Sequence, residues 1–323
     1  MTSPQSQPHT AVMLMAYGTP RHRDEIEPYY TDIRRGRQPT PEALADLVAR
    51  YEAIGGLSPL AELTERQQQR LQQKLDTIDP GGYRVELGLK HADPKIEASV
   101  EQLASEGATK ITGLVLAPHY STYSVGQYLD RTRTAAEPHG ISVSGVDSWA
   151  TEPAFVEFIA NDLASRLEQM PADSHIVFTA HSLPQRIIDS GDPYPDELRS
   201  TAQAVAARVG LEEGNGWSIG WQSAGRTPEP WIGPDILDVI DDLGANGAHR
   251  GVIVSAVGFV ADHLEVLYDL DIEARARAEQ LLWEAWFRDH PLMDELRPRP
   301  RLREARGLLR QWGQPRHSLL RNV

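Results

Sequence analysis

Short apolar runs rich in valine, isoleucine and leucine recur along the chain, separated by longer stretches with amphipathic spacing. Runs of that length read as buried strands and the stretches between them as helices. The pattern therefore predicts an α/β protein of parallel strands joined by helices. The predicted strands are AVMLMA at 11–16, YRVELGL at 83–89, ITGLVLA at 111–117, ISVSGVD at 141–147, HIVFTA at 175–180, WSIGW at 217–221 and RGVIVSAVG at 250–258. Thr40-Pro41, Ser58-Pro59 and Asp93-Pro94 each place a capping side chain before a proline at the first helical position. A boundary is expected at 146–151, where VDSWATEP passes from a strand into the next helix. This gives an N-terminal domain over 10–147 and a C-terminal domain over 148–323. Each half carries its own βα units, with no residue-level repeat between them.

Tyr17, His91, His119, His181 and Gln222 each follow a predicted strand, and Phe259–His263 follows the last one. Open parallel sheets bind ligands at that carboxyl edge, so these positions point to one cleft lined from two sheets. Loops are commonly polar, which accounts for some of them without any ligand. The chain has neither a GxGxxG fingerprint nor a P-loop, so dinucleotide and nucleoside triphosphate chemistry lack their usual sequence support.

Charge narrows the partner. The 323 residues carry a formal net charge of -14, which attracts cations and repels polyanions such as nucleic acid. There is no cysteine, so disulfides, zinc-thiolate sites and cysteine-ligated iron-sulfur clusters are excluded. A bound metal would have to use oxygen and nitrogen. The first ten residues lack a basic n-region, and the longest apolar run, Gly251–Ala261, is too short to span a membrane. A cytoplasmic protein, expected to be a monomer, follows. The stretch 297–323 is the exception in charge, with eight arginines against the single acid Glu304. Residues 301–312 are expected to form a basic helix docking on the acidic body.

Glu265, Asp269 and Glu273 recur every four residues in EVLYDLDIE. On an α-helix each such step advances about 40° around the axis and about 6 Å along it, so the acids would form one stripe. Like charges so spaced oppose helix formation by a few tenths of a kcal/mol per pair. A cation track would explain them, as would a solvated face. Asp262 with Glu265 also reads as a capping box, which would account for Glu265 but not for the two acids further in.

The motifs together resemble the ferrochelatase family. They are LMAYGTP (14–20), YYTDIRRGR (29–37), RYEAIGGLSPL (50–60), GLKH (88–91), LAPHYSTYSVGQY (116–128), FTAHSLP (178–184), GDPYPDEL (191–198), WQSAGRTPEPWIGPD (221–235) and VGFVADHLEVLYDLDIE (257–273). They run in order from about residue 12 to 277 and are most similar to the short enzymes of Gram-positive bacteria, which make coproheme from coproporphyrin III.

The resemblance implies two Rossmann-like, chelatase-type domains, each with a central parallel sheet, holding the macrocycle in the cleft between them. It implies insertion of Fe(2+) into coproporphyrin III with release of two protons and no cofactor, and a heme-pathway acceptor for the coproheme. By motif position, His181 and Glu265 resemble the inner metal-handling pair, and Asp269 with Glu273 the acidic path that delivers the ion. Tyr17 resembles the residue that approaches the iron from the opposite face. Arg34, Arg50, Tyr51, Ser58 and Tyr128 match porphyrin contacts, and His91 with Lys90 resembles a peripheral metal-site motif. The residue types suit these roles: an imidazole can accept a pyrrole proton, and ferrous iron takes imidazole and carboxylate. Ser58 is also a natural N-cap, Arg34 a natural surface ion-pair partner, His91 a common structural residue, and Tyr17 a residue that packs inward after many strands. Insertion into protoporphyrin IX, a cobalt or nickel chelatase, and a non-catalytic porphyrin or heme carrier are the rival functions. Beyond residue 278 the chain departs from the family pattern.

Overall fold

The computed structural model describes residues 10–247 and 249–281. The expected basic helix at 301–312 and most of the atypical stretch after 278 lie outside them. The described residues fall into two compact units. The first comprises those up to Ala150 with Gly191–Glu197 and Phe259–Leu264, and the second those within 151–190, 198–258 and from Glu265 onward.

The first unit holds β1 (Thr10–Ala16), β2 (Tyr83–Leu89), β3 (Lys110–Val115) and β4 (Ser142–Val146) as one parallel sheet of order β2-β1-β3-β4. Its helices are α1 (Ile26–Ile33), α2 (Pro41–Ala53), α3 (Leu60–Ile78), α4 (Ile96–Ser105) and α5 (Val125–Ala136). Strand β1 shows why the apolar run is unbroken. Ala11, Met13 and Met15 pack with Ile96, Val100 and Leu103 of α4 and Leu129 of α5, whereas Val12 and Leu14 pack with Val85 and Leu87 and meet Leu71 and Leu75 of α3. A strand covered on both faces needs apolar side chains at every position.

Later segments are tied into this unit by polar contacts. The buried Asp192 carboxylate accepts from Ser121 Oγ (3.1 Å), Thr122 N (2.8 Å), Thr122 Oγ1 (2.7 Å) and Tyr194 N (3.1 Å). Glu197 accepts from Tyr120 N (2.6 Å) and Ser148 Oγ (2.7 Å), and Gln67 Nε2 donates to Val260 O (2.8 Å).

The second unit holds β5 (His175–His181), β6 (Trp217–Gln222) and β7 (Val252–Ser255), parallel and ordered β6-β5-β7. Its helices are α6 (Pro153–Leu167), the short α7 (Gln185–Asp189), most of α8 (Tyr194–Val209) and α9 (Ile236–Asn246), followed by a π-helix over Val266–Ala274. Val177 packs with Ile236, Val239 and Ile240 of α9 and with Ala274 of the π-helix. Among the described residues no helix is long and apolar enough to cross a membrane.

All seven predicted strands are present, and several local expectations change. The strand expected over 250–258 is only Val252–Ser255, because Val257 N–H turns back to Ser255 O (2.9 Å) and Gly258 N–H goes to Thr179 O (3.0 Å). Thr40 caps α2 as expected, but Pro94 stands outside α4: its carbonyl accepts from Leu89 N–H (2.8 Å), and the helix starts only after Lys95. The acidic stripe lies on a π-helix, not an α-helix. Its i→i+5 hydrogen bonds widen the turn, so the expected α-helical offsets do not apply.

Gly258 lies flush on β5. A Cβ there would stand 2.4 Å from Ala180 Cβ and 2.7 Å from Ala180 Cα, in the residue before His181. Backbone cannot yield as a flexible side chain does. Gly258→Ala is therefore expected to destabilise the protein by about 1–3 kcal/mol and to displace the end of β5. A denaturant titration measures the first effect, and a shift of the His181 imidazole resonances the second.

Candidate active site

His181 is the last residue of β5, paired with Gln222 at the end of β6. The pairing continues past the strands through Ser182 N–H to Gln222 O (2.7 Å), while Ser182 Oγ donates to Ile232 O (2.7 Å). Beneath it, the fully buried Thr179 donates to Gln222 Oε1 at 2.9 Å. The imidazole is thus carried on a rigid strand end. Its Nδ1–H donates to Ser182 O at 2.5 Å, which leaves Nε2 as the nitrogen that faces Glu265, 3.6 Å from its Oε1. At that separation the contact is an ion pair, not a hydrogen bond.

Both side chains remain accessible, His181 at 33% and Glu265 at 40%. Burial disfavours the imidazolium. The Glu265 carboxylate outweighs it, helped by the Ser182 carbonyl and Asp269, and His181 is pushed up to about 9. Asp269, one step along the π-helix, is buried and accepts a short hydrogen bond from Ser223 Oγ. Ser223 follows β6 with φ +60, a backbone state uncommon for a side chain of this type. Glu273 lies near the end of the same π-helix. Among the described residues no three His, Asp or Glu side chains converge as a preformed metal cage.

The remaining candidates belong to the first unit. Tyr17 follows β1 and is 42% exposed, so it does not pack inward. Its ring meets His91 at 4.5 Å between centroids. Tyr128 is buried in the α4–α5 core at 4% exposure, where burial, with Tyr17 nearby, pushes its phenol well above the usual range. The Lys90 ammonium sits 5.2 Å from the Tyr128 ring centroid and 2.8 Å from Gln127 Oε1. Burial, reinforced by Arg131 and Arg35, pushes Lys90 down to about 8.

Tyr51 is buried with its hydroxyl 3.4 Å from Thr19 Oγ1, and Arg50 pairs with Asp46 at 3.3 Å. Ser58 Oγ accepts from Leu60 N–H (3.2 Å), but the N-cap of α3 is Pro59, one place later than the sequence predicts, because the Pro59 carbonyl takes the first helical bond from Leu63 N–H (3.0 Å). Arg34 lies over the Tyr30 ring at 5.5 Å and donates to Arg37 O at 3.3 Å.

The model of the family described as ferrochelatase matches residues 9–294. The chain belongs to the ferrochelatase family. It is 46% identical over 275 residues to the coproporphyrin III ferrochelatase of Halalkalibacterium halodurans, covering 84% of this chain and 87% of that protein. Against the coproporphyrin III ferrochelatase of Bacillus subtilis it is 44% identical over 282 residues, 85% of this chain and 90% of the relative. A protein named ferrochelatase from Herpetosiphon aurantiacus is 45% identical over 278 residues, 84% and 90% of the two chains.

Sequence reasoning missed two partners of candidate residues in this ferrochelatase-family chain, Ser223 beside Asp269 in the second unit and Asp32 beside His91 in the first. Each lies inside a motif already noted, but its partner is 46 and 59 residues away respectively.

Proposed function

We propose that this ferrochelatase-family enzyme inserts Fe(2+) into coproporphyrin III to give coproheme, with His181 and Glu265 as the metal- and proton-handling pair. The observation that carries this reading is the approach of His181 Nε2 to Glu265 Oε1 at 3.6 Å on a rigid strand end. Relatives named for coproporphyrin III, matched over most of their length, support the substrate.

The reaction exchanges one Fe(2+) for the two pyrrole N–H protons, and no oxidation state changes, so no redox cofactor is called for. Before iron arrives, Nε2 carries a proton at neutral pH because Glu265 holds it there. Iron drawn to Glu265 cancels that attraction and repels the imidazolium, so the proton leaves. Nε2, its own proton passed to solvent, is then free to accept the two pyrrole protons one after the other and hand each to solvent. Asp269 and Glu273 supply the preceding footholds, with Ser223 fixing the Asp269 carboxylate. Hard oxygen ligands hold Fe(2+) loosely enough to release it, which suits transfer better than storage.

On the porphyrin side, we assign Tyr17 to the iron and Arg34, Arg50, Tyr51, Ser58 and Tyr128 to the macrocycle and its propionates. An arginine fork matches a carboxylate, and coproporphyrin III carries four. A downstream acceptor must take up the coproheme formed.

Anaerobic turnover with Fe(2+), offering coproporphyrin III and protoporphyrin IX in parallel, tests the assignment. The absorbance of coproporphyrin III is expected to convert to that of its iron complex faster than that of protoporphyrin IX. Preference for protoporphyrin would overturn the substrate, and tight binding without conversion would make the chain a carrier.

A further inference from the structure

We propose that Asp32 and Lys95 lock the His91 ring against Tyr17, which makes His91 a positioning residue for the Tyr17 phenol. The inference rests on the assignment of Tyr17 to the iron made above.

The sheet brings these groups together. Register pairs Ala16 of β1 with Leu89 of β2. Backbone bonding runs on beyond both strands, from Lys90 N–H to Ala16 O and from His91 N–H to Tyr17 O, each at 2.9 Å. The two side chains therefore leave neighbouring strand ends side by side, with their rings tilted at 56°. Just after them Gly18, at φ +86, lets the chain turn against Ala92, where a Cβ would stand 2.7 Å from Ala92 Cβ. Tyr29 of α1 donates its hydroxyl to Gly18 O at 3.0 Å.

Helix α1 also supplies the lock. Asp32 Oδ2 lies 2.6 Å from His91 Nδ1, and Asp32 Oδ1 lies 2.9 Å from Lys95 Nζ. The loop from His91 to Lys95 is braced at its start, where Arg131 Nη1 donates to Lys90 O at 3.0 Å while its other nitrogens grip Glu97 at 2.8 Å. Burial pushes the Asp32 carboxyl up, but Lys95 and His91 outweigh it and the carboxyl ends low. A carboxylate oxygen can only accept, so at 2.6 Å Nδ1 is the N–H donor and the ring is held in one orientation.

A peripheral metal site at His91 fits this arrangement less well. Both Asp32 oxygens already have partners, and the Lys95 ammonium supplies the positive charge that a cation would bring. Partners of this kind, which orient a group that touches the reacting centre, are worth about 10–100-fold in activity when removed.

The test compares Asp32→Leu, Asp32→Asn and Tyr17→Phe, alone and combined, in the full-length protein. Asp32→Leu is expected to lower kcat for iron insertion about tenfold with KM for Fe(2+) unchanged, and to move the absorption band of bound coproheme in the same direction as Tyr17→Phe. Asp32→Asn keeps an acceptor oxygen and is expected to recover most of the loss. In the Tyr17→Phe background Asp32→Leu should add little, because the two act through one group. Equal losses in both backgrounds would overturn the proposal, and a raised KM for Fe(2+) would replace it with a metal site. The ring carbons of Tyr17, followed by NMR in the porphyrin-free protein, separate this idea from the function itself. If they are unmoved in Asp32→Leu, the lock is refuted whatever the enzyme turns over. If they move while wild-type protein turns over no porphyrin, the lock stands and the functional reading falls.

Discussion

Replacing His181 by alanine is expected to lower kcat for iron insertion by about 100- to 10,000-fold, the usual worth of a positioned acid–base group, while coproporphyrin III binds as before. The split follows from position. His181 ends β5 with one nitrogen committed to the Ser182 carbonyl and the other facing Glu265. Its contacts are thus with the Glu265 carboxylate, whereas the residues assigned to the propionates stand on other elements. Porphyrin fluorescence quenching gives the affinity, and anaerobic single turnover gives the chemical step. Turnover at the wild-type rate would remove His181 from the mechanism. Loss of porphyrin affinity equal to the loss of kcat would make it a binding residue instead.

Glu265→Gln is expected to have the second-largest effect, and its signature lies in pH. The carboxylate is the main influence raising His181 from its ordinary 6.5 to about 9, against burial, which acts the other way. Without that charge the imidazole pKa should fall, visible as an earlier inflection of its NMR resonances. Activity should drop about 100-fold through loss of both the iron foothold and the charge coupling. Stability follows with a definite sign. A folded-state value above the unfolded one contributes fully below pH 6.5 and is lost as pH rises through about 9. The melting-temperature gap between wild type and Glu265→Gln should therefore be widest below pH 6.5 and close across that window. A gap that widens with rising pH would mean that the two groups are not coupled as an ion pair.

The fold was legible because apolar periodicity is a local property. Strand β1 announces itself as AVMLMA, and its burial on both faces accounts for the unbroken run. Errors arose where a distant partner overrode a local rule. Asp93-Pro94 carries a helix-start signal, yet the Pro94 carbonyl is claimed by Leu89 and the helix waits for Lys95. The run 250–258 is apolar throughout, but its second half folds onto β5 instead of extending β7.

The candidate site divided in the same way. His181, Glu265 and Asp269 stand out in motif and spacing, and His181 does meet Glu265, but the α-helical stripe expected of the acids is a π-helix in the structure. Ser223 and Asp32 were not. A serine is a common loop residue and an aspartate a common helix residue, and only folding shows that one touches Asp269 and the other His91.

The π-helix over Val266–Ala274 carries a consequence for how this segment tolerates insertion and deletion. A π turn holds extra chain relative to an α turn, so loss of one residue would let the segment relax into an ordinary α-helix. That helix would be the more regular of the two, and because the residue removed is the extra one, the chain beyond it would keep roughly its former bearing. An added residue finds no such slack, and if the segment stayed helical each residue beyond it would turn by roughly a quarter of a revolution. The segment is therefore expected to tolerate a one-residue deletion better than a one-residue insertion.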